Sequence, residues 1–262
     1  MNARVIDISG RELSPCEAER ALQLVAQGKA ELVSSAPLTI RLLRAVSIPT
    51  PEPAPLPLAG QRLLLHVCCA PCATYSVRRL QEQGAAVTAF WYNPNVHPYS
   101  EHERRRESLA RYAAEVGLAV LWEPDYDLVP FLRRIVGHER PGERCALCYA
   151  QRLERTAQRA AEHGFDAFCT TLLISPYQDQ ALIRQVGDSV AAQVGVPFYF
   201  ENLRRGFAEH HRLAREHGLY QQTYCGCVYS EWEAQLKRDQ RVYHRPLDSQ
   251  LAAGEEVPIA DE

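Results

Sequence analysis

Residues 63–72 read LLLHVCCAPC, and the fold follows from how this stretch is read. A short apolar run behind Gly60 that breaks into a Cys/Pro loop has the form of a fully buried strand, predicted at Leu63–Val67. A helix follows to about Gln83 and stops at Gly84. Downstream the same unit repeats. Ala86–Trp91 and Leu118–Trp122 read as strands, separated by a long helix that Ser100 and Glu103 open as a capping box and Gly117 closes. A short helix follows residues EPDYD, and a longer one runs from about Cys145 to Glu162. Asp166–Thr171 and Pro197–Phe200 complete the expected strands, and two more helices frame the YCGC segment. Strands alternating with helices predict an α/β fold: a Rossmann-like open parallel sheet with helices on both faces.

Working outward, residues 47–60 read SIPTPEPAPLPLAG. Prolines at alternate positions remove backbone donors and favour polyproline II, so this segment reads as a semi-rigid linker. Residues 1–46 before it form a small α+β module. A strand is expected near Val5–Ile8, then a helix capped by Ser14, Pro15 and Glu17 that runs to Gln27, then strands at Glu31–Ser34 and Leu38–Leu43. The organisation is thus module 1–46, linker 47–60, catalytic domain 61–238 and an acidic tail 239–262.

Composition removes several classes. With 46% apolar and 23% charged residues the chain is an ordinary globular one. A net charge of -3 excludes a uniformly basic nucleic-acid binder, although local basic patches remain. No apolar run approaches the roughly 20 residues that span a bilayer. The N-terminus lacks a basic segment followed by an apolar one, so a secretory leader is not expected and the location reads as cytoplasmic.

The nine cysteines carry the chemistry, and seven of them lie in three tight clusters. CCAPC, YNPNVHP, EPDYD and TTLLISPYQ each follow a strand. In an open parallel sheet those loops share one edge, where ligands bind. Vicinal Cys68 and Cys69 are poorly shaped to bridge each other but are competent metal ligands. Cys145 and Cys148 open a helix, whose N-terminus favours anionic ligands. Together these four thiolates suit structural zinc or an iron–sulfur cluster, and spacing does not choose. Cys225-Gly226-Cys227 permits a small strained ring, and strained disulfides are the labile, redox-active ones. A cycling dithiol and two further metal ligands both remain open for it.

Other residues are weaker signals. Cys169 reads as core, Cys16 as incidental and His66 as a satisfied core histidine. His97 and Asn95 sit on a crevice loop, where substrate contact and scaffold are equal readings for His97. Asp125 and Asp127 end the third strand as metal ligands, acids or solvated loop carboxylates. Tyr149 and Tyr224 offer faces for base stacking or core packing. Arg104–Arg106, Arg133, Arg134, Arg152, Arg155, Arg204 and Arg205 are candidate phosphate contacts, with interspersed Glu residues making about half of them a solvated face.

HVCCAPC, WYNPNVHPYSEHERR, CALCYAQRLERTA, TTLLISPYQD and YQQTYCGCVYS, in that order, resemble the QueH family of epoxyqueuosine reductases. The resemblance spans about residues 61–233. It implies an oxidoreductase that reduces the epoxide of epoxyqueuosine at the wobble position of tRNA with a GUN anticodon, supplied by an unidentified electron donor. It further implies a [4Fe-4S] cluster on Cys68, Cys69, Cys145 and Cys148, and a redox-active disulfide between Cys225 and Cys227. Cys72 exceeds the four cluster ligands and could hold an adjacent mononuclear metal as a Lewis acid. The N-terminal module, through VIDISG, LSPC, RALQL, GKAELV and PLTIRL, resembles the RRXRR-type module and carries no assignable chemistry. The competing readings are a zinc-stabilised tRNA-binding module without catalysis, and a tRNA-thiolating enzyme, which needs an SGG-like phosphate loop where CCAPC stands.

Overall fold

The computed structural model describes residues 2–8, 10, 12–43 and 57–238. The expected tail, 239–262, and most of the linker lie outside the described residues. The chain divides into two compact units, Met1–Ala54 and Pro55–Glu262.

In the first unit, β1 (Asn2–Ile6), β2 (Glu12–Glu17), α1 (Ala18–Ala26), β3 (Ala30–Ser35) and β4 (Leu38–Leu42) follow in order. The sheet runs β2-β1-β4-β3, parallel between β1 and β4 and antiparallel elsewhere. Its core is small: Ala3, Val5, Ala21, Ala30 and Ile40. The helix starts later than the sequence predicts. Ser14, Pro15 and Glu17 lie in β2, paired with β1, and no side chain caps α1. The pairing jumps from Ala3↔Cys16 to Val5↔Leu13, so Ser14 and Pro15 share a bulge on an edge strand. That is where a proline without an N–H is tolerated.

The second unit holds the four-stranded sheet β7-β6-β5-β8, all parallel. Its strands are β5 (Arg62–His66), β6 (Ala86–Trp91), β7 (Val120–Trp122) and β8 (Ala167–Thr170). Between and after them come α2 (Ala70–Glu82), α3 (Tyr99–Val116), α4 (Leu128–Ile135), α5 (Glu143–Glu162), α6 (Gln180–Val194), α7 (Phe207–Glu216) and α8 (Val228–Arg238). Central β5 is buried from Leu63 to His66 on both faces, as helices on both sides require. One helical layer gathers α3 and α7 on α2, the other α4 and α6 on α5.

Two expectations give way. The expected fifth strand at Pro197–Phe200 reduces to a single parallel bridge, Phe168↔Phe198. The Phe198 ring instead presses on Gly187 of α6, where an added Cβ would lie 2.2 Å from it. The capping box before α3 is also not formed, because Pro98 occupies the N-cap and no side chain caps the helix.

Glu123 fastens α5 to the end of β7. Its backbone N–H donates to the Trp91 carbonyl (3.1 Å), and both carboxylate oxygens accept from Arg155 and Arg159 at 2.8–2.9 Å. Burial pushes this carboxyl up, but the two guanidinium forks outweigh that and hold its pKa at about 2. A carboxyl depressed from 4.5 stabilises the fold above its unfolded pKa, and the contribution is lost as pH falls through about 2. Both arginines are partly solvated, which reduces its size. Glu123→Gln is therefore expected to lower unfolding free energy at pH 7 by about 1–3 kcal/mol. Urea denaturation at pH 7 and at about pH 3 should show the difference narrowing; a difference independent of pH would remove the ion pair from the account.

Candidate metal and thiol site

Parallel pairing fixes where the site lies. The loops after β5, β6, β7 and β8 all leave the same sheet edge. After β5 the chain runs through Val67 and Cys68 to Cys69, which takes the N-cap of α2 in extended conformation (φ −171°, ψ 159°). Pro71 in the first turn has no N–H to leave unsatisfied, and Cys72 joins it there. Cys68, Cys69 and Cys72 are thereby buried together, with their Sγ atoms all within 4.8 Å of one another. Cys68 Sγ lies 3.8 Å from Cys69 Sγ.

Two neighbours from other loops, Thr171 and Gln222, complete this nest, with His66 of β5 behind it. The Thr171 hydroxyl accepts from the Cys68 N–H at 3.1 Å and donates to Cys68 Sγ at 3.3 Å. Gln222 Nε2 donates to Cys69 Sγ at 2.8 Å. His66 ends β5 with Nδ1 against Thr170 Oγ1 and Nε2 against the Tyr92 carbonyl, a fully satisfied core histidine. Burial lowers its pKa to about 4, so the ring is neutral. Hydrogen bonds from Cys69 and Cys72 hold the Cys68 thiol well below its ordinary value. Burial pushes Cys69 up to about 12, and donation to Cys68 pushes Cys72 up. The three thiols therefore titrate as one coupled group rather than as independent residues.

Cys145 and Cys148 stand in the first turns of α5, half-buried and buried respectively. Burial pushes Cys148 up to about 12, relieved by Arg152 and reinforced by Cys225, Cys227 and Cys145. Arg152 in turn feels the charge of Cys148, Cys68 and Cys225, one sulfur from each cluster. Even so, Cys145 and Cys148 do not join the triad in one group whose ligand atoms all lie within 4.8 Å of one another. The compact metal-ligand group among the described residues is Cys68, Cys69 and Cys72. Cys72, not the CxxC pair, is its third member.

The CGC pair is unbridged, with Cys225 exposed and Cys227 buried. The Cys225 thiol donates to Ser230 Oγ (2.9 Å), which donates to the Cys227 carbonyl (2.8 Å). Gly226 has φ +122°, in the region that favours glycine, and a Cβ there would lie 2.8 Å from Val96. His97 belongs to the same assembly. Its N–H donates to the Gly226 carbonyl (2.7 Å), its carbonyl accepts from Tyr224 Oη, and its ring Nδ1 accepts from the Val228 N–H (3.4 Å). His97 Nε2 is buried without a partner, as are Oδ1 of Asn93, Oδ1 of Asn95 and Oε1 of Gln222. Buried polar atoms are normally satisfied, so these four are available to a polar ligand.

The structure redistributes several other candidates. Tyr149 is buried with its hydroxyl on Gln178 Oε1 (2.7 Å) and Arg152 over its ring, so it packs rather than offers a stacking face. Tyr224 is half-buried under Arg105. Asp127 accepts from Tyr92 Oη (2.9 Å), Asp125 is exposed, and neither joins the thiols. Arg105 and Arg152 are buried, and Arg155 serves Glu123, so none of the three is a phosphate contact. Thr171, Gln222 and Asn93 are not marked out by the sequence. Thr171 and Gln222 had one signal, adjacency to a strand end or to CGC.

A parallel α/β sheet here carries at its carboxyl edge three buried thiols that could hold a metal ion. Residues 63–233 match the family described as epoxyqueuosine reductase QueH, and the chain belongs to that family. Residues 4–58 match the RRXRR protein family. Relatives named epoxyqueuosine reductase QueH include that of Dehalococcoides mccartyi, 40% identical over 66% of this chain and 93% of that protein. The Thermotoga maritima protein is 37% identical over 67% of this chain and 93% of its own. The Streptococcus pyogenes protein is 34% identical over 71% and 78%.

The donor set fits a thiophilic metal group: buried sulfurs on two elements, with a buried cation between them. Arg152 has Nε on the Cys148 carbonyl (3.2 Å) and, among the described residues, no carboxylate partner. A buried cation without an anion is costly, so ionisation of Cys148 or Cys68 on metal binding would give it a counter-charge. Arg152→Met is expected to weaken cobalt binding by the metal-free protein about 10- to 100-fold, the usual loss for a supporting residue of a metal site. Titration of the thiolate-to-cobalt absorbance measures it; unchanged affinity would leave Arg152 a packing residue.

Proposed function

We propose that this chain reduces the epoxide of epoxyqueuosine in tRNA to the alkene of queuosine, with Cys225 and Cys227 as the dithiol and Cys68, Cys69, Cys145 and Cys148 as ligands of a [4Fe-4S] cluster. The observation that carries this is the buried Cys68, Cys69 and Cys72 triad at the sheet edge within the region that matches the reductase family. Such a cluster supplies one-electron transfer. The protein side of the reaction follows from the residues. Two thiols become a disulfide, giving up two electrons and two protons. The epoxide loses its oxygen, which leaves as water, and its two carbons become an alkene. Ser230, hydrogen-bonded to the Cys225 thiol, is placed to carry its proton away. Buried His97 Nε2 and Asn95 Oδ1, both unpartnered, are the groups to bind and orient the cyclopentane ring's polar substituents. A two-electron donor outside the chain resets the disulfide.

The substrate is a tRNA with a GUN anticodon, met in the cytoplasm; no helix among the described residues is long and apolar enough to cross a membrane. Beside the 93–98 loop lies a cavity of about 260 Å³ lined by Tyr99, His102, Trp122 and Tyr126 together with Arg106 and the carboxylates of Glu103, Glu123 and Asp125. Aromatic faces next to a cation suit unpaired bases. Exposed Arg104 and Arg205 remain for phosphates. About two such contacts predict an about tenfold loss of tRNA affinity for a fourfold rise in salt. Filter binding at the two salt concentrations tests this, and a flat response would remove the arginines from recognition.

A second reading has an observation on its side. A tetrahedral zinc with bonds of about 2.3 Å separates its sulfurs by about 3.8 Å, and Cys68 and Cys69 are 3.8 Å apart. The triad therefore suits three corners of one mononuclear metal. Within the reductase reading Cys68 and Cys69 belong to the cluster, and Cys72 is left to ligate an adjacent Lewis-acid metal; taken alone the triad is the zinc site of a tRNA-binding module without catalysis. Anaerobic purification with iron and zinc assays separates them. Replacing Cys68, Cys69, Cys145 or Cys148 with Ser should bleach broad visible absorbance and deplete iron. Replacing Cys225 or Cys227 with Ser should abolish turnover and leave that spectrum intact. A colourless zinc protein whose CGC variants bind tRNA normally would establish the second reading.

A further inference from the structure

The CGC loop is held by a residue that its chemistry does not require. Arg105 is 1% exposed, yet it projects from α3, an element remote in sequence from residues 224–227. Its Nη1 donates to the Cys225 carbonyl at 3.0 Å and its Nη2 to the Tyr224 carbonyl at 3.2 Å. Nε donates to Glu101 Oε1 at 2.7 Å, one helical turn back, and Glu101 Oε2 accepts from Tyr220 Oη at 2.8 Å. The guanidinium also covers the Tyr224 ring at 5.3 Å. The next two carbonyls are fixed as well: Gly226 by the His97 N–H at 2.7 Å, and Cys227 by Ser230 Oγ at 2.8 Å and the Glu231 N–H at 3.1 Å. Every carbonyl from 224 to 227 therefore has a partner, and one planar fork holds two in succession. A lysine cannot do this, since it is a point donor on a flexible stem.

We propose that Arg105 is the positioning residue of the redox loop, holding its backbone in one geometry so that the Cys225–Cys227 disulfide closes and opens by side-chain rotation alone. This rests on the reading of Cys225 and Cys227 as the dithiol. Closure forms one S–S bond from two S–H bonds, and the two electrons and two protons pass to the epoxide, whose oxygen leaves as water. In the absence of substrate the same balance is met by oxidised glutathione, which is reduced to two thiols. A fixed backbone raises the effective concentration of one thiol at the other. A loosened one must be ordered each time the ring closes.

The test is the equilibrium constant for this disulfide in glutathione buffers, read by alkylation and mass spectrometry of the peptide holding both cysteines. Neither tRNA nor turnover enters that measurement. Arg105→Lys keeps the charge and loses the fork, and is expected to lower the constant about 10- to 100-fold. In the loaded enzyme, kcat should fall while KM for tRNA holds. Where Arg105→Lys leaves Glu101 badly paired and unfolds the chain, the double variant Glu101→Gln, Arg105→Met removes both charges together. It should show the same loss with an intact urea midpoint. A wild-type protein that oxidises and folded variants with an unchanged constant would overturn the clamp and leave the dithiol reading standing. A wild-type pair that never closes in the buffer would overturn both.

Discussion

The parallel pairing of β5 between β6 and β8 is the constraint on which the site depends. Register runs Leu63↔Val87 to His66↔Phe90 on one side and Leu63↔Ala167 to His66↔Thr170 on the other. Because all three strands end together, the segments that follow them start side by side. Cys68 then meets Thr171 directly, though they are 103 residues apart. His66 locks that register from inside, joining Thr170 of β8 to the Tyr92 carbonyl after β6. An antiparallel neighbour would have sent one of these loops to the opposite edge.

Around that edge, charge is arranged against burial. Thiols placed in a protein interior resist ionisation, which is why Cys69 and Cys148 are pushed up to about 12. A metal-thiolate site needs the opposite. Two buried guanidiniums supply it: Arg105 toward Cys69 and Cys68, Arg152 toward Cys148 and Cys68. They differ in how they are neutralised. Arg105 has the Glu101 carboxylate, so its charge is largely spent locally and its geometry is what remains useful. Among the described residues Arg152 has no carboxylate partner, so its charge is what it contributes.

The alternation of strands and helices was legible because apolar runs of four to six residues alternated with amphipathic stretches, and the cysteine motifs marked the strand ends. What escaped has physical reasons. Ser14, Pro15 and Glu17 carry every local mark of a helix start, but pairing with β1 overrides local preference. Pro197–Phe200 looks like a strand because it is apolar, yet its apolarity serves packing against Gly187. Arg105 and Arg152 read as surface cations, since sequence alone gives no sign of the carbonyls and thiols that receive them. The three cysteine clusters were visible as a set. That Cys72 rather than the CxxC pair closes the compact triad depends on one turn of α2 and could only be seen in three dimensions.

In the proposed reading, the two requirements of the chemistry, one for movement and one for rigidity, are kept apart. A redox dithiol must change its covalent state, whereas a ligand set must not move. Cys68, Cys69 and Cys72 are fixed by a strand end and a helix start, the stiffest parts of the unit. Cys225 and Cys227 lie between α7 and α8 on a loop with no strand to hold it, and one of the pair is exposed. The loop's rigidity is therefore borrowed: from α3 through Arg105, from the 93–98 loop through His97 and from α8 through Ser230. Gln222 then ties the approach to that loop directly to Cys69. A substrate that settled on His97 and Asn95 would touch the same loop that fixes Gly226, so its binding and the geometry of the dithiol are coupled through a single short segment.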